Sequence, residues 1–251
     1  MAKISVIIPC YQQERFIRYC VESCQRQTVM PDEIIVVDDC STDKSVDILT
    51  TIEGIKLYCL RYNAGVSKAR NTGIKESAGD FIVLLDADDM LLPKSIEYRL
   101  KVFKEHSEAD IVYGNALKCH DDVSYEWCMK HRKELEHYTR PPEFQAINFQ
   151  TVMYRRRVFE KYGLFYEKLR SKEDKEFITR LGLHRDSPWK CKVKARHVDK
   201  DVVFYRRHAN SKHKKRVADT KWARETDRIF EDRIRQLKTE GISKENTPWL
   251  T

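Results

Sequence analysis

The stretch that most constrains the fold is a short apolar run that ends in a group of acids. Residues 81–85 read Phe-Ile-Val-Leu-Leu, which is typical of a strand buried on both faces of a sheet. Asp86, Asp88 and Asp89 follow directly. Carboxylates at the end of a buried strand repel one another unless a cation offsets their charge. The pattern predicts either a Mg²⁺ or Mn²⁺ site or an acidic turn in which Asp89 caps the next helix.

Apolar runs alternate with segments of helical spacing through the first half of the chain. Strands are predicted at residues 4–8, 33–37, 55–60, 81–85 and 109–113, and helices at residues 14–27, 44–51, 66–77 and 93–106. This alternation predicts an α/β fold with a mostly parallel sheet and right-handed crossovers. The sequence contains neither GxGxxG nor GxxxxGK[ST], so the dinucleotide fingerprint and the P-loop are both unsupported.

The pattern changes after residue 113. Residues 114–150 are polar and mixed, which predicts loops with short helices. Beyond them, strands are predicted at residues 149–154 and 202–205, and helices at residues 156–162, from residue 172 onward, and at residues 217–238. The second half is therefore expected to be a smaller, mixed region followed by a terminal helix and a tail.

Composition indicates a globular protein without a membrane span. Hydrophobic residues make up 41% of the chain, but no apolar run approaches the roughly 18 residues that a spanning helix needs. The N-terminus lacks the pattern of a signal peptide. The eight cysteines are scattered, and several lie in apolar contexts, which predicts reduced, partly buried thiols. We therefore expect a cytoplasmic protein.

The positive charge is concentrated in one segment. The net charge is +8, yet residues 190–216 alone contain 11 Lys and Arg with only two acids. Local basicity predicts a local anionic partner, which could be phosphate groups, nucleic acid or the surface of an anionic membrane. In the last case the protein would be peripheral to a membrane.

Six motifs, in order along the chain, resemble the family 2 glycosyltransferases with the GT-A fold. They are residues 6–11 (Val-Ile-Ile-Pro-Cys-Tyr), 36–43 (Val-Val-Asp-Asp-Cys-Ser-Thr-Asp), 63–65 with 69–74 (Asn-Ala-Gly and Ala-Arg-Asn-Thr-Gly-Ile), 85–89 (Leu-Asp-Ala-Asp-Asp), 173–174 (Glu-Asp) and 205–211 (Tyr-Arg-Arg-His-Ala-Asn-Ser). Two positions depart from the pattern, since Gln12 replaces a frequent Asn and Cys40 replaces the usual Gly. The resemblance implies a nucleotide-sugar donor, usually UDP-linked, a Mn²⁺ or Mg²⁺ ion, and inversion at the anomeric carbon.

The resemblance also implies a division of labour along the chain. Residues 1–113 would form the nucleotide-sugar-binding half, residues 114–216 the acceptor-side and catalytic half of the same GT-A domain, and residues 217–251 a C-terminal helix and tail. The residues implied to bind the donor are Pro9, Tyr11, Asp39, Asn63, Arg70 and Asp86. Asp39 can accept a hydrogen bond from a uracil N–H, and Tyr11 can flank that ring. From the residues alone, Arg70 also fits a surface helix and Asn63 fits a turn.

The same resemblance assigns the metal and the base. Asp88 would ligate the ion together with His208, whose imidazole would favour Mn²⁺ over Mg²⁺. Asp174 would take the proton of the acceptor hydroxyl, with Glu173 as the second candidate. Read without the resemblance, Asp174 is better explained as an ordinary acid in the first turn of a helix, beside Glu173.

The sequence leaves the chemical identity of the acceptor open. Four cations flank His208 and are expected to face the acceptor or a surface that carries it: Lys212, Lys214, Lys215 and Arg216. The function predicted first is transfer of a sugar to a hydroxyl of a saccharide or a lipid-linked glycan. The alternatives are transfer to hydroxylated bases of DNA, because basic clusters neutralise backbone phosphates, and a non-catalytic module that binds nucleotide sugars.

Overall fold

The fold is described by a computed structural model for residues 2–120, 123–137, 147–183, 187, 193–207 and 220–240. The strands are β1 (Ile4–Cys10), β2 (Glu33–Asp38), β3 (Lys56–Cys59), β4 (Phe81–Leu84), β5 (Met90–Leu91), β6 (Ile111–Cys119), β7 (Val152–Arg155) and β8 (Ala195–Arg206). The helices are α1 (Ile17–Gln25), α2 (Ser45–Thr50), α3 (Val66–Glu76), α4 (Ser95–Glu105), α5 (Tyr125–Lys130), α6 (Arg157–Tyr162), α7 (Glu173–Arg180) and α8 (Thr220–Glu240). Short 3-10 helices span Arg132–Glu134 and Phe149–Thr151.

Within the described residues, all eight strands form one sheet in the order β3-β2-β1-β4-β7-β6-β8-β5. Strands β1 to β4 are parallel neighbours, as the alternation of strands and helices predicted. Strand β7 then pairs antiparallel with both β4 and β6. Strand β8 runs parallel to β6, and β5 pairs antiparallel with β8 at the edge. The predicted α/β class with a mixed second half is confirmed.

Helices cover the two faces of the sheet with separate apolar clusters. One face, the α1 face, packs α1, α2 and α4 on the strands through residues such as Cys20, Leu49 and Phe103. The opposite face, the α7 face, packs α3, α6 and α7 through Ile74, Phe159 and Phe177. Strand β4 lies at the centre and alternates between the two clusters, which explains why residues 81–85 are all apolar.

The structure extends the predicted strands of the second half. Strand β6 continues to Cys119 and β8 starts at Ala195, whereas the sequence predicted only residues 109–113 and 202–205. Polar residues along one face of these strands hid the strand pattern, and their pairing depends on partners more than 80 residues away. The two-residue strand β5 was also missed, and the predicted strand 149–154 begins instead as a 3-10 helix before β7.

The described part of the chain bears on two expectations from the sequence, one about the cysteines and one about membrane-spanning helices. Its seven cysteines are all free, and five of them are buried, as predicted for reduced thiols. None of its helices combines the length and the apolar character that crossing a membrane requires. Helix α8 docks on the body of the protein through Leu237 and through Arg233, whose guanidinium lies 4.8 Å from the Tyr166 ring centroid.

Candidate active site

The carboxyl ends of β1, β2 and β4 meet at one edge of the sheet. Tyr11 follows β1, Asp39 follows β2, and Asp86 stands two residues after β4. In open α/β sheets ligands bind at this edge, where the strand order reverses direction. Tyr11 is 45% exposed there, whereas Pro9 is buried within β1 opposite Val37. The edge therefore brings together residues that the sequence motifs singled out separately.

Asp39 is held rigidly by the loop before α3. Its Oδ1 accepts the backbone N–H of Ala64 at 2.6 Å, and its Oδ2 accepts that of Gly65 at 2.8 Å. Burial raises the pKa of Asp39, and the two hydrogen bonds oppose that rise. Each carboxylate oxygen has a second lone pair, so the fixed group can still accept a hydrogen bond from a ligand.

The loops after β1 and β2 are tied together beside Asp39. The backbone N–H of Gln12 donates to Ser41 Oγ at 3.0 Å, and its side-chain amide donates to Thr42 Oγ1 at 2.7 Å. Gln12 and Cys40 both have positive φ, at 56° and 63°. These are the two positions where the sequence departs from the family motifs, and both lie in the backbone region that Asn or Gly adopts most readily.

Arg70 is a buried hub and not a surface arginine. Its Nη2 donates to Asp86 Oδ1 at 2.6 Å and its Nη1 donates to Glu173 Oε1 at 3.0 Å. The guanidinium also lies 4.7 Å from the Phe149 ring centroid. Burial alone would lower the pKa of Arg70, but Asp86 and Glu173 raise it, so the group stays charged. Arg70 therefore links the end of β4 to the start of α7.

Gln150 is a site residue that the sequence analysis missed. Its Nε2 donates to Asp86 Oδ2 at 2.7 Å, so both oxygens of that carboxylate are engaged. Gln150 lies in the 3-10 helix before β7, 64 residues from Asp86 along the chain. No local motif marks it, because the segment around it matches none of the recognised patterns.

The three acids after β4 form a cluster that could hold a metal ion. One ligand atom from each of Asp86, Asp88 and Asp89 lies within 4.8 Å of the others. Asp89 is 1% exposed, its Oδ1 accepts the backbone N–H of Arg206 at 2.8 Å, and its Oδ2 has no hydrogen-bond partner among the described residues. Burial, followed by the charges of Asp88 and Asp86, raises the pKa of Asp89.

These features fit a hard divalent cation with oxygen ligands, because a buried carboxylate oxygen without a partner is stabilised by a nearby positive charge. The alternative, in which Asp89 caps the following helix, is wrong. Helix α4 starts at Ser95, and its N-cap residue is Lys94. The carboxylates thus stand apart from the start of α4.

Asp174 stands in the first turn of α7, half-buried beside Glu173. Its Oδ1 accepts the N–H of Lys175 at 2.7 Å. Burial and the charge of Glu173 raise the pKa of Asp174 to about 6, while Arg70 acts in the opposite direction. Lys172, which precedes these acids, has φ 61°, a backbone conformation that is uncommon for such a residue. A carboxylate with a pKa near neutrality is suited to general-base chemistry.

Arg170 is a second residue that the motifs did not indicate. Its Nη1 donates to the side-chain oxygen of Asn63 at 3.1 Å and to the Asn63 carbonyl at 3.3 Å. Its charge also opposes the rise in the pKa of Asp39. Asn63 therefore lies at the same edge as Asp39, joined to the loop that precedes α7.

The basic segment is only partly within the described residues. His208, Lys212, Lys214, Lys215 and Arg216 lie outside them. Of the described cations, Arg206 is buried and donates to the carbonyls of Asp88 and Val123, and Arg196 pairs with Glu108 at 2.7 Å. At least these two cations serve the fold, which leaves fewer for an anionic partner than the sequence count suggested.

The architecture is that of the GT-A fold. The crystal structure of S. aureus TarS 1-349 in complex with UDP-GlcNAc aligns with a TM-score of 0.64 and 21% identity, covering 83% of this chain and 60% of that one. The complex of the same protein with UDP aligns with a TM-score of 0.62 and 22% identity, covering 82% and 60%. The expected GT-A fold is confirmed.

The chain belongs to glycosyl transferase family 2, whose model matches residues 5–163. Glycosyltransferase GlyA of Streptococcus pneumoniae is 39% identical over 116 residues, which cover 45% of this chain and 16% of GlyA. The uncharacterized glycosyltransferase YwdF of Bacillus subtilis is 35% identical over 188 residues, covering 71% of this chain and 67% of YwdF. An uncharacterized glycosyltransferase of Haemophilus influenzae is 34% identical over 123 residues, and the match spans 47% of this chain and about half of that relative.

Proposed function

We propose that this family 2 glycosyltransferase moves a sugar from a UDP-sugar to a hydroxyl of a saccharide or lipid-linked glycan, with inversion. The observation that carries the proposal is the Arg70 hub, which holds the acid cluster after β4 next to the carboxylates that start α7. Donor and base chemistry need to be within a few ångströms of one another. The solved complexes of TarS with UDP and with UDP-GlcNAc support a UDP-sugar as the donor.

The donor would lie along the edge formed by the ends of β1, β2 and β4. Asp39, fixed by two backbone N–H groups, would accept the uracil N–H, and the exposed Tyr11 would flank the ring. Asn63, at the same edge, would contact the base or the ribose. Asp86, oriented by Arg70 and Gln150, would face the ribose. Pro9 would shape the floor of this site from within β1. These groups orient the donor before reaction.

The acids after β4 would hold a divalent cation. Asp88, with Asp86 and Asp89 next to it and with His208 as a further ligand, would hold Mn²⁺ or Mg²⁺. When bound, such an ion neutralises negative charge on the departing diphosphate. The chain's own contribution is to keep three carboxylates together at the end of a buried strand, where the Arg70 guanidinium offsets part of their charge.

Asp174 would act as the general base. The acceptor oxygen forms a bond to the anomeric carbon on the face opposite UDP, the bond from that carbon to the phosphate oxygen breaks, and UDP leaves. The acceptor proton passes to the Asp174 carboxylate. Glu173 would hold Arg70 in place through its hydrogen bond and is the second candidate for the base.

The substitution Asp174→Asn tests this proposal. Turnover of UDP-glucose, UDP-galactose and UDP-GlcNAc with Mn²⁺ should fall by roughly 100-fold or more, the usual scale for loss of a general base. UDP binding should stay near that of the parent, because Asp174 does not contact the nucleotide in this assignment. Near-native turnover in the variant would move the base elsewhere, with Glu173 examined next. A parent protein that turns over no nucleotide sugar would refute the proposed function.

We also propose where the protein acts and what the basic residues after His208 face. The free, mostly buried cysteines of the described part suit a reducing compartment such as the cytoplasm. Lys212, Lys214, Lys215 and Arg216 are proposed to face the acceptor or the surface that carries it. A lipid-linked glycan would place the protein against an anionic membrane surface.

A further inference from the structure

The central part of β6 and β8 carries polar side chains on the α7 face. Together with the neighbouring His137, we call this surface the β6–β8 polar face; its strand residues are Tyr113, Asn115, His197, Asp199 and Asp201. Alternate residues of a strand point to the same side of a sheet, and Tyr113 and Ala195 pack at the rim of the apolar cluster of the α7 face. The polar face therefore continues the side of the sheet on which Asp174 stands.

Hydrogen bonds organise the inner half of this face. Asn115 is 7% exposed, its Nδ2 donates to Asp199 Oδ1 at 2.9 Å, and its Oδ1 accepts from His197 Nε2 at 2.9 Å. The His197 ring lies 5.0 Å from the Tyr113 ring, centroid to centroid. Asp199 itself is exposed, so this chain of contacts leads from a buried amide to a carboxylate in solvent.

A second pair extends the face toward the carboxyl ends of the strands. His137 Nδ1 lies 3.3 Å from Asp201 Oδ1, with the two side chains 62% and 20% exposed. His137 reaches this position because its backbone forms a bridge with Leu117, on the side of β6 opposite β8. The contact spans β6, and Asp201 is the register partner of Asn115, so the two groups of polar side chains adjoin.

The backbone at the centre of the face is irregular. The pairing of β6 with β8 shifts register on both sides of Asn115. Gly114 permits the close approach, since a Cβ there would lie 2.7 Å from Val202 Cγ1 and 2.8 Å from the Lys200 carbonyl oxygen. Bulges of this kind re-aim side chains and occur frequently beside active sites. The irregularity lies where the polar side chains gather.

The polar face lies next to the donor site. Tyr113 pairs with Val152, the first residue of β7, and the 3-10 helix that carries Gln150 comes directly before it and contacts both β6 and β8. Gln150 in turn donates to Asp86. A molecule on the polar face would therefore have one end at Gln150, close to the donor, on the face that also carries α7.

Chemistry decides what such a surface can bind. Carboxylate, amide and imidazole groups accept and donate hydrogen bonds in fixed planes, which suits the hydroxyl groups of sugars. The two carboxylates repel anionic ligands. We propose that the β6–β8 polar face is an acceptor subsite for a neutral, hydroxyl-rich saccharide, and not for a phosphate-bearing polymer such as DNA. This inference rests on the proposed glycosyl transfer.

The test uses the full-length chain with Asp199→Asn and Asp201→Asn combined, and Asp199→Asn alone in case the double variant folds poorly. Acceptor probes are benzyl glycosides of glucose, galactose, N-acetylglucosamine and glucuronic acid, and a DNA duplex with hydroxymethylated cytosines. The parent should use a neutral glycoside at least about tenfold better than the anionic glucuronide, a ratio set by charge repulsion. Removing both charges should raise the KM for the neutral glycoside by roughly tenfold and erase most of that preference.

Two donor measurements and a control variant show whether the substitutions affect acceptor binding alone. Donor hydrolysis without acceptor and stabilisation by UDP should stay unchanged in the variants, and Asp47→Asn, an exposed aspartate of α2, should behave like the parent throughout. An unchanged acceptor KM and charge preference would overturn the inference, as would transfer to DNA alone or to none of the glycosides. Loss of donor hydrolysis in the variants would assign the face to the donor instead. A parent without donor hydrolysis would refute the proposed function itself.

Discussion

At the scale of single residues, Gln12 and Cys40 show how backbone conformation explains a departure from a motif. Both have positive φ in loops that are hydrogen-bonded to each other beside Asp39. The left-handed region costs a side chain with a Cβ about 1–2 kcal/mol relative to Gly. The chain therefore retains some strain at this edge of the sheet, and strained residues are often found at functional sites.

This strain predicts that at Cys40 a Gly variant is more stable than an Ala variant, the reverse of the usual order. Cys40→Gly should be more stable than Cys40→Ala by about 1 kcal/mol, because both lose the thiol but only Gly relieves the φ of 63°. The exposed Cys59 of β3 is the matched control, and there Ala should be better than Gly by about 0.5–1 kcal/mol. Urea unfolding of the four variants measures both differences. If Ala were more stable than Gly at Cys40 as well as at Cys59, Cys40 would be unstrained.

Asp174 carries a second residue-scale prediction, on pH. Its pKa is raised to about 6 by burial and then by Glu173, and a base must be unprotonated to accept a proton. The kcat/KM for the donor should therefore fall as the pH drops below about 6. Glu173→Gln removes a negative charge next to Asp174, which lowers its pKa, so the acidic limb should move to lower pH. A pH profile of kcat/KM measures the shift.

The exposed Glu53 provides the control for that experiment, since Glu53→Gln should leave the limb in place. A limb that moves to higher pH in Glu173→Gln, or does not move, would contradict the assignment of this titration to Asp174.

At the scale of elements, helix α3 shows why one short motif combines three roles. Arg70 binds Asp86 and Glu173, and Asn71 exchanges hydrogen bonds with the backbone of Phe165. Gly73 lets α3 lie on β1, because a Cβ there would be 2.3 Å from Ile7 Cγ2. The motif at residues 69–74 therefore places the Arg70 guanidinium between two carboxylates, bonds α3 to the backbone near Phe165 and allows α3 to pack closely on β1.

The contact between α7 and α8 supplies an element-scale prediction. Glu176 is fully buried and accepts from Arg180 at 3.0 and 2.9 Å, while Arg233 of α8 lies 3.5 Å from it. Glu176→Gln removes the negative charge that faces two buried guanidinium groups and should destabilise the protein by about 3–5 kcal/mol. Chemical denaturation measures the loss.

Asp232→Asn on the exposed side of α8 is the control for Glu176→Gln. It removes a surface pair with Arg235, 3.3 Å apart, and should cost less than about 1 kcal/mol. Equal effects of the two substitutions would show that α8 is not anchored through the buried charges.

At the scale of the whole molecule, donor and metal should stabilise the fold together. Saturation with UDP and Mn²⁺ at roughly 100 times the dissociation constant adds about 2.7 kcal/mol, which raises Tm by roughly 5–10 °C for a chain of this size. EDTA or Asp88→Asn should abolish most of that gain, because the cluster of Asp86, Asp88 and Asp89 would hold the ion. Differential scanning fluorimetry provides the measurement. Equal stabilisation by UDP with and without Mn²⁺ would count against the metal role of Asp88.

Part of this organisation follows from the sequence alone. Alternating apolar runs and helical segments predicted the parallel half of the sheet. Three of the motifs contain the residues that follow β1, β2 and β4, and the fold brings these residues to one edge. It does so because parallel strands have their carboxyl ends at the same edge of the sheet. Local pattern was sufficient wherever local geometry dictates the neighbours.

Only the tertiary structure decided the rest. Arg70 meets Glu173 across 103 residues, Gln150 meets Asp86 across 64, and Asn115 meets Asp199 across 84. No periodic pattern marks such pairs, because each side chain is chosen by a neighbour that folding brings to it from elsewhere in the chain. The same holds for β8, whose polar residues look like a loop in sequence yet form a strand through pairing with β6. Contacts between segments that are remote along the chain depend on packing, and packing exists only in the folded molecule.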